Sequence, residues 1–328
     1  MDTDLVEHSI ITHLQQAHAA ERAQIGELRA LRDEIGLPTV ADLIEQHRAE
    51  TDHHGAALEH RLQELGSRPS VRLVAQAVGG ALPKLIVDHV RPHSACAALR
   101  DAVIAEAGEI ASYILLESEA LRGGDESTAV LAAELRASEV AMRDQLMGFW
   151  PLAVAHDLAD QSGNGIATTR DVQARIIDHL RDIHALERNA AMMLSTVSAT
   201  VHDPVAHERV GDHRTATVRH GDEVALRLRE LGSGPSVRKQ AQGLAFALVK
   251  GPVNLVRAER AAKDLRDMYV VEHLELVSYA QLAELAEIAG DDKTRQLALS
   301  QGAEEASMAD WLERDAARFL LETLAAKA

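Results

Sequence analysis

The chain has 328 residues, a net charge of −17, 46% hydrophobic but only 2% aromatic residues, and a single cysteine, Cys96. Such acidity argues against holding nucleic acid through a general positive field, and one cysteine excludes an intramolecular disulfide framework or a cysteine-based zinc site. With so few aromatics a core must be made of Ala, Leu, Val and Ile, which suits close-packed helices better than a β-sandwich, so an all-α fold is expected.

In chain order, the acidic start MDTDLVEHSI has no apolar run of the kind a secretion signal needs, and a cytoplasmic location is the expectation. From Asp4 to about Glu34 a stripe of Leu5, Ile11, Leu14, Ala17, Ile25, Leu28 and Leu31 predicts a first helix, closed by Gly36 and Pro38. A second helix is predicted from about Thr39 to Leu65, ended by Gly66 where a left-handed cap is common. Ser67 to Ser94 holds three prolines and a glycine pair, which reads as a long crossover with short helical turns. Its apolar part, Val71 to Val90, is interrupted by Gly79, Gly80 and Pro83 and carries Arg72, Lys84 and Asp88, so no membrane span is expected there. A third helix runs from about Ala95 to Leu121 and stops at Gly123-Gly124, and a fourth starts on Asp125 as N-cap and continues to about Phe149. Two tight hairpins joined by one long connection give a four-helix bundle with a single crossover between the second and third helices.

The pattern then begins again. HLQQAHAAER at 13–22 returns as HLRDIHALER at 179–188, a shift of 166 positions (179 − 13). The same shift carries LQELGSRPS (62–70) onto LRELGSGPS (228–236), Glu106 and Glu109 onto Glu272 and Glu275, Ser112-Tyr113 onto Ser278-Tyr279, Asp125 onto Asp291, and Glu139 onto Glu305. No insertion is needed between these landmarks, so the chain is a tandem duplication, with one copy over residues 1–160, a polar linker QSGNGIATT, and a second copy over 166–328. The two copies are expected to pack as an internal pseudo-dimer, because a short linker holds them at high effective concentration.

Each predicted helix of the first copy brings a carboxylate: Glu21 on the first, Glu50 on the second, Glu106 and Glu109 on the third, Glu139 on the fourth. Buried together, they would repel unless protons or cations neutralise them. The second helix adds imidazoles in two competing patterns: Glu50 with His53 at i, i+3, or His47, Glu50 and His54 along an i, i+3, i+7 stripe. Either His53 or His54 can be the inward one. Two divalent cations need several hard oxygen donors plus imidazoles around a shared centre, and this set matches that demand. The bland reading of each pair is a solvated helix face.

In these motifs, namely HxxE at His18–Glu21 and His184–Glu187, HxxET at His47–Thr51, LGS-PS after the second helix, VEHLELVSY at Val271–Tyr279, AGDD at Ala289–Asp292 and EEASMADWL at Glu304–Leu312, the chain resembles the ferritin-like superfamily. The resemblance is to its stress-associated bacterial members of uncharacterised function, and covers both halves nearly end to end. It implies two ferritin-like four-helix bundles and a metal site of Glu21, Glu50, His53 or His54, Glu106, Glu109 and Glu139 holding two iron or manganese ions in the first copy. The implied activity is that of a di-iron oxidase or iron-handling protein in stress protection; the competing reading is a non-catalytic helical protein with degenerate sites. Three departures stand out. Met142 and Met308 occupy the place of a second histidine on the fourth helix, and in the second copy Ala216 and Arg219 stand where the first has Glu50 and His53. The second copy is therefore expected to lack an equivalent pair of ions.

Overall fold

The computed structural model describes residues 3–74, 94–161, 168–236 and 257–325. Within these the chain is all-helical, with no strand. Most of each predicted crossover, and the polar linker, lie outside the described residues. The chain forms two compact units, Met1–Phe149 and Trp150–Ala328.

Unit one contains α1 (Thr3–Glu34), α2 (Pro38–Glu64), α3 (Ala95–Gly123) and α4 (Glu126–Met147). Their ends are set by local chemistry. Pro38 starts α2, where its missing N–H costs nothing. The LGS that recurs in both copies is a Schellman cap: Gly66 takes φ 69°, its N–H donates to the Gln63 carbonyl at 3.0 Å, and the Ser67 N–H donates to the Leu62 carbonyl at 2.8 Å. The same device closes α3 at Gly124, with φ 72°, and the next residue, Asp125, at once caps α4 by accepting from the Thr128 N–H at 3.0 Å. Arg61 near the end of α2 reaches this turn, donating to Thr128 Oγ1 at 2.8 Å and to Asp125 Oδ1 at 2.7 Å, and so fixes α2 against the start of α4. α1 packs on α2 and α3, and α4 on α3 and α2. Ile10, Leu14, Leu58, Leu62, Tyr113, Leu116, Ala132 and Leu135, drawn from all four helices, form one buried apolar cluster.

Unit two contains α5 (Trp150–Gln161), α6 (Thr169–Ser198), α7 (Pro204–Glu230), α8 (Arg257–Ala289) and α9 (Asp292–Ala325). α6 to α9 repeat the pairings of α1 to α4, and α5 packs on α8. Thr168 and Asp171 start α6 with a reciprocal capping box. The Arg61–Asp125–Thr128 arrangement recurs as Arg227–Asp291–Thr294, with 2.8 Å to Thr294 Oγ1 and 2.7 Å to Asp291 Oδ1. α5 was not expected as a separate helix. Gly148 ends α4 and Pro151 opens the next turn, whereas the corresponding Arg314 and Ala317 let α9 run on unbroken. The repeat thus places α5 in the first copy, while its packing places it in the second unit.

Candidate metal centre

The inner ends of six side chains meet in the middle of unit one. α1 supplies Glu21, α2 supplies His47 and His54, α3 supplies Glu106 and Glu109, and α4 supplies Glu139. On α2 the two histidines are seven residues apart, nearly two full turns, so both face inward. Glu21, His47, Glu106 and Glu139 are each no more than 1% exposed, and His54 only 8%. Glu139 lies between the imidazoles: its Oε1 is 2.8 Å from His54 Nδ1 and its Oε2 is 3.2 Å from His47 Nε2. Glu106 Oε2 is 3.3 Å from His47 Nε2, and Glu21 Oε1 is 3.5 Å from His54 Nδ1. Two three-donor groups result, Glu21–His54–Glu139 and His47–Glu106–Glu139, each with donor atoms within 4.8 Å of one another, and both share Glu139.

Two neutral side chains orient the carboxylates from outside. The Tyr113 hydroxyl donates to Glu21 Oε1, and Gln24 Nε2 donates to Glu106 Oε1 at 3.3 Å. Much of the inward polar surface remains without a hydrogen bond among the described residues: Glu21 Oε2, His47 Nε2, His54 Nδ1, Glu106 Oε2, Glu109 Oε2 and both oxygens of Glu139. The His47 and His54 nitrogens are close enough to carboxylates to count as ion pairs, yet their angles do not make hydrogen bonds. Buried polar atoms are almost always paired, so this concentration of orphans in one place calls for a ligand.

Electrostatics point the same way. Burial pushes the Glu106 carboxyl up to about 8 although His47 pulls it down. Glu109 is driven well above the carboxylate range by burial and by the charges of Glu21, Glu139 and Glu106, and burial likewise raises Glu21. Burial acts to lower the two imidazoles, but Glu106 and Glu139 lift His47 to about 11, and Glu139 and Glu21 lift His54 to about 9. Burial also acts to raise Glu139, against which His47 and His54 hold it at about 2. Ionising all of these carboxyls together therefore needs added positive charge, from protons or from cations. Oxygen and imidazole donors gathered in this way could hold a metal ion.

Unit two holds the same set at the same offsets: Glu187, His213, His220, Glu272, Glu275 and Glu305. Two groups of donor atoms again lie within 4.8 Å, Glu187–His220–Glu305 and His213–Glu272–Glu305, sharing Glu305. His220 Nδ1 is 2.7 Å from Glu305 Oε1, and His213 Nε2 is 3.0 Å from both oxygens of Glu272. Tyr279 donates to Glu187 as Tyr113 does to Glu21. Burial lifts Glu272 to about 7 and Glu187 and Glu275 well above the usual range.

The structure brings Glu21, His54, Glu106, Glu109 and Glu139 together and leaves two expected members outside. Glu50 has a side chain 58% exposed and meets only the outer nitrogen of His47, at 3.4 Å. His53 is exposed and turned to its own helix, with Nδ1 2.7 Å from the Ala49 carbonyl. One residue along a helix is about 100° of rotation, so with His54 inward His53 must face away. The ground for expecting the second copy to lack an equivalent pair of ions, the loss of these two side chains, therefore does not hold. Ala216 and Arg219 replace residues that never reached the interior, and the inner donors of unit two are all present. His47, weighed in the stripe with Glu50 and His54, and its counterpart His213 were left out of the expected ligand set. The signal was available: under the 166-residue shift His47 and His54 recur as His213 and His220, whereas Glu50 and His53 do not recur. They also account for Met142 and Met308, both buried, because the second imidazole comes from α2 or α7 and none is needed from α4 or α9.

The sequence model of a family described as "Domain of unknown function (DUF892)" matches residues 6–159 and again residues 171–325. No solved structure matches the chain.

Proposed function

The chain belongs to the DUF892 family through both halves, and from that premise we propose that each unit is a ferritin-like four-helix bundle holding a pair of divalent cations, iron or manganese. The proposed role is a di-iron oxidase or iron-handling protein in stress protection. In unit one, Glu21 and His54 would hold one ion and His47 and Glu106 the other, with Glu139 contributing to both donor groups and Glu109 completing the charge balance. Glu187, His220, His213, Glu272, Glu305 and Glu275 would do the same in unit two. The observation that carries this reading is the set of buried donor atoms in unit one that converge without hydrogen bonds.

Bound iron would supply one-electron chemistry toward dioxygen or peroxide. The chain's own part is to hold the donors and keep water out. Tyr113 fixes Glu21 through its hydroxyl and leaves the second oxygen of Glu21 pointing inward. Gln24 does the same for Glu106. Because the imidazoles must be neutral to bind a cation, loading displaces protons from His47 and His54.

One observation favours a second reading. Imidazoliums at about 11 and 9 beside Glu139 neutralise part of the cluster with no metal at all, as in a purely structural polar core. Anaerobic titration of metal-stripped protein with ferrous iron separates the two. The proposed function predicts up to four ions per chain, two per unit, followed by dioxygen consumption; absence of binding for both iron and manganese would leave the structural reading.

A further inference from the structure

Each inner imidazole has a second nitrogen that faces outward, and what meets that nitrogen differs between the units. In unit one His47 Nδ1 lies 3.4 Å from Glu50 Oε2. The counterpart of Glu50 in unit two is Ala216, which offers no acceptor to His213. In unit two it is His220 that has the support: its Nε2 lies 3.2 Å from Glu304 Oε2. The counterpart of Glu304 in unit one is Ser138. The outer carboxylate has therefore changed sides, from the imidazole beside Glu106 in one unit to the imidazole beside Glu187 in the other.

An imidazole binds a cation through one nitrogen only when its proton sits on the other, and an outer carboxylate accepting that N–H fixes both the tautomer and the ring angle. Arg219 makes the need acute in unit two. Its guanidinium lies 3.2 Å from His220 Nε2 and, alone, would donate to a lone pair there. That would leave the proton on Nδ1, the nitrogen that faces Glu305 and Glu187. Glu304 bonds Arg219 and places Oε2 3.2 Å from the same Nε2, where it can accept a proton, and Nε2–H is the tautomer that leaves Nδ1 free for a cation. In unit one the residue at the place of Arg219 is His53, turned away to Ala49.

Resting on the dinuclear reading above, we propose that the two centres load in opposite order: the first cation enters at His47–Glu106–Glu139 in unit one but at Glu187–His220–Glu305 in unit two. The chain is then a pair of unlike centres, although their inner donors are the same.

The test uses the full-length protein and cobalt(II), followed anaerobically by calorimetry and visible absorption. Unit one is read in a Glu305→Gln background and unit two in a Glu139→Gln background, with circular dichroism melts to establish that each variant is folded. In unit one His47→Ala should remove the tighter of the two binding steps and His54→Ala the weaker. In unit two the pattern should invert, His220→Ala removing the tighter step and His213→Ala the weaker. Glu50→Ala, at an exposed position, and Glu304→Ser, at a half-buried one whose folding the melts check, should each weaken the tighter step of their own unit about 10-fold or more, while Arg219→Ala should not weaken it. The same helix position dominating in both units, or rim variants without effect, would overturn the proposal while leaving the dinuclear function standing. No cobalt in either background would take both down.

Discussion

The interiors of the two units agree and their rims do not. Six inner donors recur at a constant offset, as does the tyrosine that holds the first-helix glutamate. One turn outward the pairs are Glu50 and Ala216, His53 and Arg219, Ser138 and Glu304. Removing one member of a buried charged set strands its partners in a place water cannot reach, at several kcal/mol, whereas an exchange at a solvated position costs little. The supports of the interior do differ. Gln24, which donates to Glu106, has become Ala190, and His213 meets Glu272 at 3.0 Å where His47 meets Glu106 at 3.3 Å. Divergence at the rim is the freedom that lets two copies of one centre acquire different properties.

The comparison can be broken most severely at the carboxylates shared by the two donor groups of each unit. Glu139→Gln should lower cation affinity in unit one about 100-fold or more and leave unit two untouched, so that metal measured by atomic emission falls by about half. Glu305→Gln should mirror it. If either change emptied both centres, the units could not be treated as separate sites.

A smaller effect should be the same in both units, because the hairpin caps are the same. Asp125→Ala and Asp291→Ala each remove an N-cap that is also bonded to arginine, and each should cost about 1–2 kcal/mol in urea melts of metal-stripped protein at neutral pH. The pH dependence follows from the sign of the shift. Burial acts to raise both carboxyls, but Thr128 with Arg61, and Thr294 with Arg227, hold them below the ordinary value of 3.8. A depressed folded-state value means the stabilisation is complete above 3.8 and fades as pH falls through the folded value. The gap between wild type and variant should therefore stay constant from neutral pH down to about 5 and narrow only below about 4. A gap that narrows already between pH 7 and 5 would mean the cap carboxylates are not the groups responsible.

The smallest expected effect is that of His53→Ala. Stability should change by no more than about 0.5 kcal/mol and metal content not at all. Loss of metal in this variant would restore the i, i+3 pairing with Glu50 and refute the inward assignment of His54.

Much of the molecule was legible in the chain alone. The 166-residue shift disclosed the repeat, apolar stripes gave the helices, and Gly66, Gly124, Asp125 and their counterparts marked ends that are decided within a few residues of sequence. The carboxylates of α1, α3 and α4 were also legible, because each recurs in the second copy at a helical position facing a neighbour. What the sequence left open was the rotation of α2. His53 and His54 are adjacent, so the choice between them turns on about 100° about the helix axis, and no local signal fixes that angle. It is set by packing: Leu58 and Leu62 lock α2 into the shared apolar cluster, and that phase carries His47 and His54 to Glu139 while turning His53 and Glu50 to solvent. The destination of α5 was open for the same reason. Gly148 and Pro151 announce a break in the chain, but which unit the following helix joins depends on apolar surface contributed by residues distant in sequence, and only the folded chain brings that surface together.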